Sequence, residues 1–344
     1  MSTRPTFLTA LLTLIQACLL GMLLAACGGG QSTDAGSGPR VAAATVQAAA
    51  LPADYAQSVQ QLYVAYFGRP ADPGGLANFE AALQAAGAPT DIQAFDSAYS
   101  NSAAIRALVD AFGVSTESQG LYTGDTTAFV QAIYQHVLNR APLPTGLAYW
   151  VDSIDHGGLQ RGNAALSIMA AALANGSAQG QLDAALIANK IAVASNFTAV
   201  VPVTTYRGQT IAAMARAMLA TVTGSTSVSA FQATITSTIS AMQAANVKSY
   251  AGNYSGSYGG ADAGVFSFTI ADNGAVNGSG HSTAFGYDLM IVGSIAEGGA
   301  VSLTAQGTAG AATYVGTLNA STGALSGTWN AGIYGSGTFS GQRY

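Results

Sequence analysis

Large apolar side chains recur at helical spacing in two stretches of the first half of the chain. In the first stretch they are Tyr55, Val59, Leu62, Tyr63, Tyr66 and Phe67. The same spacing returns in residues 129–138, and Asp125, a residue type that suits the N-cap, precedes that stretch. Positions three, four and seven residues apart share one face of an α-helix. Each stretch therefore predicts a helix with one buried face.

Similar spacing predicts further helices along an alanine-rich part of the chain. They are expected at residues 102–112, 161–174, 180–195, 209–222 and 227–245. The connections between them are short. We therefore expect residues 51–247 to form an all-α domain.

From Tyr250 onward the period changes from helical to alternating. In Val265–Ile270, "VFSFTI", large apolar residues occupy every second position. Turn sequences such as Asp272-Asn273-Gly274 recur at short intervals, and 21 of the 42 glycines lie in this last part. We expect residues 250–344 to form a Gly-rich antiparallel β sandwich or small barrel of about eight strands, with the first and last strands paired. The predicted fold class is multi-domain α plus β.

The first residues have the pattern of an export signal. Arg4 precedes an uncharged apolar run from Phe7 to Ala26, and small residues stand before Cys27. We expect residues 1–26 to be a signal peptide. Its removal would leave Cys27 as the single cysteine, which excludes an intramolecular disulfide and leaves no partner for a thiol metal site.

Leu24-Ala25-Ala26-Cys27 resembles the lipobox of bacterial lipoproteins, in which the cysteine carries the lipid. The resemblance implies acylation of Cys27, as with palmitate, and a membrane anchor. An ordinary secretory peptide cleaved near Ala26 is the alternative. The Gly/Ser-rich residues 27–50 are expected to be a flexible tether. By resemblance to Gram-negative lipoproteins, Gly28 after the cysteine favours the outer membrane, with the protein facing the periplasm or the cell surface.

Charge narrows the choice of partners. The chain is 49% hydrophobic and 8% charged, and without residues 1–26 it has 10 basic and 16 acidic residues, a net charge of −6. No basic run or Arg/aromatic platform is visible, so nucleic acid is not an expected partner.

A segment of the helical part occurs twice. Residues 62–83 and 133–154 match at an offset of 71, and each contains a turn with an arginine, a proline and a Gly-Leu pair. The matched pairs are Tyr63 with Tyr134, Arg69 with Arg140, Pro73 with Pro144, Gly75 with Gly146, Leu76 with Leu147, and Phe79 with Trp150. A helix is expected to end before each turn and another to begin at each proline.

The repeated pattern resembles the bacterial domain family of unknown function numbered 4214, over roughly residues 55–200. The resemblance implies a helical module of secreted and surface-layer proteins that serves in surface attachment or assembly. It implies no reaction. The two copies differ in one respect, because the acidic Asp72 corresponds to Leu143. A cation site common to both turns is therefore not expected.

The repeat supplies the candidate ligand-binding residues Arg69, Arg140, Asp72 and Trp150. In one interpretation the arginines bind an anionic sugar or phosphate while aromatic neighbours stack on it. In the other, which we favour, the arginines meet the last carbonyls of the preceding helices and the aromatic residues fill the core. The β part has six candidates for a glycan-binding face, of which alternation could turn half inward: Tyr254, Tyr258, Tyr287, Tyr314, Trp329 and Tyr334.

Candidate catalytic groups are sparse. None of the three histidines has the spacing of a zinc site. Asp152, Asp155 and His156 would form a polar pocket only if the fold gathered them, and His156 is instead expected to close a helix. "GHSTA" at residues 280–284 matches a loose nucleophile elbow but lacks the strand-to-helix context.

These observations predict a non-catalytic envelope lipoprotein without cofactor or metal, acting as a surface binding, assembly or attachment module. The expected partners are the membrane, through the lipid, and an envelope glycan or a secreted or surface protein. A hydrolase acting on envelope polymer is one alternative. The other makes the β part a substrate of an export machine.

Overall fold

The computed structural model describes residues 50–344. The expected signal peptide (1–26), Cys27 and the tether as far as residue 49 lie outside the described residues. Helices occupy residues 52–248, and an eight-stranded antiparallel barrel follows. The expected order, a helical part and then a β part, is confirmed. Of the two β architectures considered, the structure has the barrel.

A 3₁₀ turn, Pro52–Tyr55, opens the helical part, and eleven α-helices follow in the described residues. They are α1 (Ala56–Phe67), α2 (Pro73–Ala85), α3 (Ile92–Asn101), α4 (Ala103–Gly113), α5 (Thr116–Leu121), α6 (Thr126–Leu138), α7 (Pro144–Asp155), α8 (Arg161–Ala174), α9 (Ala178–Val200), α10 (Gly208–Ala220) and α11 (Gln232–Lys248). The sequence did not predict α3 and α5. Helix α9 is longer than expected, and α11 begins five residues after the predicted start at 227.

Helix α1 lies at the centre of the helical part and packs against α6, α8 and α9. Every residue from Ser58 to Phe67 is buried, including two glutamines. Gln60 is satisfied, because its Nε2 donates to Thr198 Oγ1 at 2.9 Å and its Oε1 accepts from Ala71 N at 3.0 Å. A helix enclosed on all sides carries polar side chains at low cost only when they are paired in this way.

The strands form one closed barrel in which each strand pairs antiparallel with its neighbours in the sequence, and β1 closes on β8. They are β1 (Gly252–Gly260), β2 (Gly264–Ile270), β3 (Ala275–Ser282), β4 (Asp288–Ile295), β5 (Ala300–Gly307), β6 (Gly310–Leu318), β7 (Ala324–Asn330) and β8 (Ser336–Arg343). The expected pairing of the first and last strands is confirmed. Closure leaves no open sheet edge.

Side chains fill the barrel, and the remaining space inside it is about 10 Å³, roughly one water probe. Phe266, Phe268 and Ile270 point inward, as their alternation predicts. Inward glycines make room for the rings. A Cβ on Gly327 would lie 2.5 Å from Cε1 of Phe339. The barrel therefore has a packed core and not a ligand cavity.

The change from helix to strand takes place within four residues, between Lys248 and Gly252. Lys248 Nζ lies 2.7 Å from Asp272 Oδ2 in the β2–β3 turn, which links the end of α11 to the barrel. In residues 50–344, none of the helices combines the length and hydropathy that crossing a bilayer requires.

Candidate functional site

The two repeated turns have the same backbone design. Helix α1 ends at Gly68 and α6 ends at Asn139, both in the left-handed conformation, with φ values of 63° and 51°. Pro73 and Pro144 then occupy the first positions of α2 and α7. Asp72 is the N-cap of α2, where its Oδ1 accepts from Gly75 N at 2.7 Å. The shared residues therefore end one helix and start the next, as the sequence indicates.

Arg69 is buried and fully engaged inside the protein. Its Nε and Nη2 donate to the two carboxylate oxygens of Glu117, each at 2.8 Å. Its Nη1 donates to Tyr206 Oη and to the Pro70 carbonyl, both at 3.1 Å. Asp72 is a weaker partner at 3.9 Å. With 8% of its surface exposed, Arg69 offers little to a ligand.

Arg140 makes the corresponding contacts in the second copy. Its Nε donates to Asp183 Oδ1 at 2.9 Å, and its Nη2 donates to Asp183 Oδ2. Its Nη1 donates to the Ala141 carbonyl at 3.0 Å. In both copies, the arginine after the helix forms a bidentate ion pair with a carboxylate of a later helix. This is the strongest geometry for an arginine–carboxylate pair.

The structure differs from the expectation that these arginines meet the last carbonyls of the preceding helices. Other cations do so. Arg216 Nε donates to the Phe67 carbonyl of α1 at 2.7 Å, and Lys190 Nζ donates to the His136 carbonyl of α6 at 2.6 Å. Both cations come from helices distant in sequence, so the residues of the turn alone gave no sign of them.

Lys190 is one of the most buried side chains, with 1% of its surface exposed. Burial lowers the pKa of Lys190 to about 7. Its Nζ also donates to Asn139 Oδ1 at 2.6 Å. A neutral amine has two N–H groups, which suffice for its two acceptors. Burial likewise lowers the pKa of His136 to about 4.

An open groove of about 930 Å³ lies elsewhere, between α3, α4, α7 and α8. Its lining mixes polar and apolar side chains, with one aromatic rim. The side chains that carry the argument below are Asp96, Tyr99, Arg106, Asp110, Tyr149 and Asn163. An open groove with converging polar groups is the usual form of a binding site.

Tyr149 forms the aromatic rim of the groove and is 63% exposed. Its ring packs against that of the buried Trp150, with centroids 5.0 Å apart and planes at 73°. Trp150 Nε1 donates to Tyr134 Oη at 3.1 Å. The predicted binding residue Trp150 therefore supports the rim from below, and Tyr149 presents the free ring. The first copy has Asn78 at the position of Tyr149.

A cluster of three polar residues forms one wall of the groove. Asp96 Oδ1 accepts from Ser167 Oγ at 2.7 Å and from Asn163 Nδ2 at 3.2 Å. Asn163 Nδ2 also lies 3.0 Å from Ser167 Oγ. Within the described residues, Asn163 Oδ1 has no hydrogen-bond donor. The wall therefore carries a buried acceptor that is unused.

A second carboxylate, Asp110, lines the groove from α4. Its Oδ1 accepts from Tyr99 Oη at 2.7 Å. Burial, and then the bond to Asp110, raise the pKa of Tyr99 to about 12, so the phenol stays a donor. Arg106 reaches back to the end of α3, where it donates to the carbonyls of Tyr99 and Ser100. These bonds fix the polar side chains in place.

Three further residues named in the sequence do not gather in a pocket. His156 Nδ1 lies 3.0 Å from Asp152 Oδ1, but both side chains are about three quarters exposed. Asp155 accepts from Thr126 Oγ1 at 2.7 Å, also on the surface. His156 follows the last residue of α7, as expected. The arrangement is shallow and solvated.

Ser282 of "GHSTA" is enclosed at the mouth of the barrel. Its Oγ donates to Asp262 Oδ1 at 2.7 Å and accepts from Phe285 N at 3.0 Å. His281 points to the outer face, where its Nδ1 lies 2.8 Å from Asp288 Oδ1. The serine and the histidine thus lie on opposite faces of β3, and a nucleophile with its base is not assembled there.

The aromatic residues proposed for a glycan face on the barrel do not share a surface. Tyr254, Tyr258, Tyr314 and Trp329 point inward and are buried in the barrel core. Tyr287 is partly buried against that core, and Tyr334 is exposed in a 3₁₀ turn. Among residues 50–344, no three His, Cys, Asp or Glu side chains come together as metal ligands do.

The sequence did not single out most of the groove. Helix α3, which supplies Asp96 and Tyr99, carries a usable signal: the N-cap Asp91 is followed by Ile92, Phe95 and Tyr99 on one face. Tyr149 could have been found in the sequence as the aromatic residue next to Trp150 in the repeat. Asn163 and Asp110 lie on different helices, and only the tertiary fold brings them to one groove.

Residues 109–175 match the family model described as Domain of unknown function (DUF4214). The resemblance stated for the helical part is therefore confirmed over this segment, which contains the second repeated turn and not the first. No curated protein and no solved structure matches the chain. The matched segment supplies Asp110, Tyr149 and Asn163 to the groove, while α3 lies outside it.

Proposed function

We propose that the protein is a non-catalytic envelope lipoprotein that binds an envelope glycan in the groove between α3, α4, α7 and α8. The observation that carries the proposal is Tyr149, a largely exposed ring at the rim of a polar groove. Sugars combine flat apolar faces with many hydroxyls. An exposed ring beside fixed hydrogen-bonding groups complements both features.

Three hydroxyls in the lining extend this match. Ser97, Ser100 and Ser153 line the groove together with the two carboxylates. Ser97 Oγ and Ser153 Oγ already donate to the carbonyls of Gln93 and Tyr149, at 2.9 Å and 2.7 Å, so they offer acceptor positions, as the carboxylates do. Such a lining suits a ligand with a hydroxyl on nearly every carbon atom.

The N-terminal sequence supports placing this groove at the envelope. A lipid on Cys27 would anchor the chain at the outer membrane, and residues 27–50 would tether the helical part. The groove would then reach glycan close to the membrane surface without direct contact between the folded part and the lipid.

A hydrolase acting on envelope polymer is the second candidate, because Asp96 and Asp110 line the same groove. We favour binding, since each of these carboxylates already accepts a hydrogen bond from a neighbouring hydroxyl. These bonds hold each carboxylate in place as a hydrogen-bond acceptor, which is the role of a binding group.

Cosedimentation with isolated peptidoglycan and with lipopolysaccharide tests the proposal. We expect the purified protein to pellet with one of these glycans, Tyr149→Ala to stay in the supernatant, and Tyr149→Phe to pellet, because Phe keeps the ring. Mass spectrometry of the supernatant separates the alternatives. New glycan fragments that disappear with Asp96→Asn or Asp110→Asn would establish a hydrolase and contradict a purely binding role.

A further inference from the structure

The groove contains more hydrogen-bond acceptors than its own donors use. Asp96 and Asp110 each engage one carboxylate oxygen, Oδ1, in the bonds described above. No bond within the described residues engages the second oxygen of either. A carboxylate offers about four acceptor positions, so both retain capacity toward a ligand.

Asn163 gives a separate indication that this part of the groove lacks hydrogen-bond donors. The residue lines the groove and is 5% exposed, and its Oδ1 has no donor within residues 50–344. Buried polar atoms nearly always have a partner, and one left without a partner lowers stability. The atom itself is enclosed, and the wall around it is short of N–H and O–H groups. The wall therefore suits a ligand that brings donors to Asp96 better than one that brings acceptors.

The net charge of the lining also favours a ligand that brings hydrogen-bond donors. Neither Asp96 nor Asp110 forms an ion pair with a basic side chain of the described part. Arg106 is the one basic residue among the lining residues, and its Nε and Nη2 are held by backbone carbonyls. The lining as a whole is therefore negative by one charge.

We propose that the groove selects sugars that carry a free, protonated amine, which makes an amino sugar without its N-acetyl group the preferred ligand. The inference rests on the proposed glycan-binding function and names the chemistry of its ligand. An ammonium group supplies three N–H donors and a positive charge to the wall formed by Asp96 and Asn163. The ring of Tyr149 is the reason to choose a sugar over a lysine-bearing peptide, since it matches the flat face of a pyranose.

A pair of soluble glycans tests the selection. Isothermal titration calorimetry compares a β-1,4-linked glucosamine tetramer, whose amines are free, with its fully N-acetylated counterpart. We expect the free-amine tetramer to bind about tenfold more tightly, the size of one charge-assisted hydrogen bond. Raising the salt concentration is expected to reduce that preference, because part of it is charge attraction in an open groove.

Isosteric variants locate the effect. Asp96→Asn and Asp110→Asn keep the side-chain shape and are each expected to lower the preference for the free amine. Asp152→Asn, which removes an exposed carboxylate of α7 outside the groove, controls for general electrostatics and is expected to preserve it. Circular dichroism confirms that each variant is folded.

Each contrary result would reject a different part of the proposal. Equal binding of the two tetramers would overturn the amine selection and leave glycan binding standing. A lysine tripeptide that binds as tightly as the free-amine tetramer would overturn the choice of a sugar. Failure of both tetramers and of every envelope glycan to bind would instead count against the proposed function itself.

Discussion

The guanidinium of Arg69 and the carboxylate of Glu117 form two parallel hydrogen bonds, from Nε to Oε1 and from Nη2 to Oε2, each 2.8 Å long. Glu117 also accepts from Arg216 Nη2 at 2.7 Å. Arg216 in turn covers the end of α1 through the Phe67 carbonyl. One carboxylate on the short helix α5 therefore ties the first repeated turn to α10.

Removing Arg69 is expected to destabilise the helical part. Arg69→Met would leave Glu117 with one cation and Tyr206 Oη without its donor, and breaking a buried pair from one side costs about 3–5 kcal/mol. Because Arg216 remains, we expect the lower end of that range. Urea unfolding followed by the helical circular dichroism signal measures the change.

Arg140→Met is the matched comparison, and the carboxylate left behind decides its effect. The side chain of Asp183 is 5% exposed against 19% for Glu117, and no second cation pairs with it in the described residues. We therefore expect a loss of stability at least as large as that from Arg69→Met. An Arg69→Met protein with wild-type stability that no longer bound glycan would show that the turn is a binding site and would contradict its structural role.

Stability is expected to depend on pH through Lys190. The pKa of Lys190 is about 7 in the folded protein, against the ordinary lysine value of 10.5. Between these values the unfolded chain binds more protons than the folded one, so stability rises with pH in that window, by up to about 1.4 kcal/mol per pH unit. Below pH 7 both states are protonated and the contribution is flat.

Urea unfolding at several values between pH 7 and pH 9 measures this slope. Lys190→Met, which keeps the apolar stem and removes the amine, is expected to abolish it. A slope that persists unchanged in Lys190→Met would show that another group is responsible.

Replacing an inward glycine of the barrel with alanine is expected to lower the stability of the barrel. In Gly327→Ala the new Cβ would lie 2.5 Å from Phe339 Cε1 and 2.2 Å from the Val315 carbonyl oxygen. Overpacking of this kind typically costs about 1–3 kcal/mol. Gly259→Ala is the control, because nothing lies within 4 Å of its added Cβ. Equal thermal stability of the two variants would contradict the packing of the core.

Membrane attachment is expected to depend on Cys27. Cys27→Ser removes the thiol that the lipid would occupy, so the protein should move from the membrane fraction to the soluble fraction of cells, and labelling with a palmitate analogue should be lost. Cys18→Ser, which lies within the expected signal peptide, is the matched control. A Cys27→Ser protein that remained in the membrane fraction would contradict lipid anchoring.

The parts of the fold that local patterns determine were predictable. The ends of α1 and α6, the prolines that start α2 and α7, and the alternation in β2 all follow from neighbours in the sequence. The pairing of β1 with β8 was inferred from similar end segments and is confirmed. Closure into a barrel was one of two options, because alternation is the same in a sandwich.

The groove was less predictable because it depends on helices that meet only in the folded protein. Asp96 lies on α3, which the sequence analysis missed, and its partners Asn163 and Ser167 lie about 70 residues later on α8. The partners of Arg69 and Arg140 could not be predicted either, because they lie on helices that are distant in the sequence. Glu117 and Asp183 are more than 40 residues from the arginines that they bind.

A fluorescence titration tests the central claim most directly. The chain has two tryptophans, Trp150 beneath the rim of the groove and Trp329 inside the barrel, so Trp329→Phe leaves Trp150 as the single reporter. In that background, glucosamine oligosaccharides are expected to change the emission of Trp150 saturably. Tyr149→Phe should preserve the response, and Tyr149→Ala should lower affinity about five- to tenfold, because a lost aromatic contact costs about 1–1.5 kcal/mol. Equal affinity in Tyr149→Ala and Tyr149→Phe, or no saturable response to any envelope glycan, would contradict the claim that this groove binds glycan.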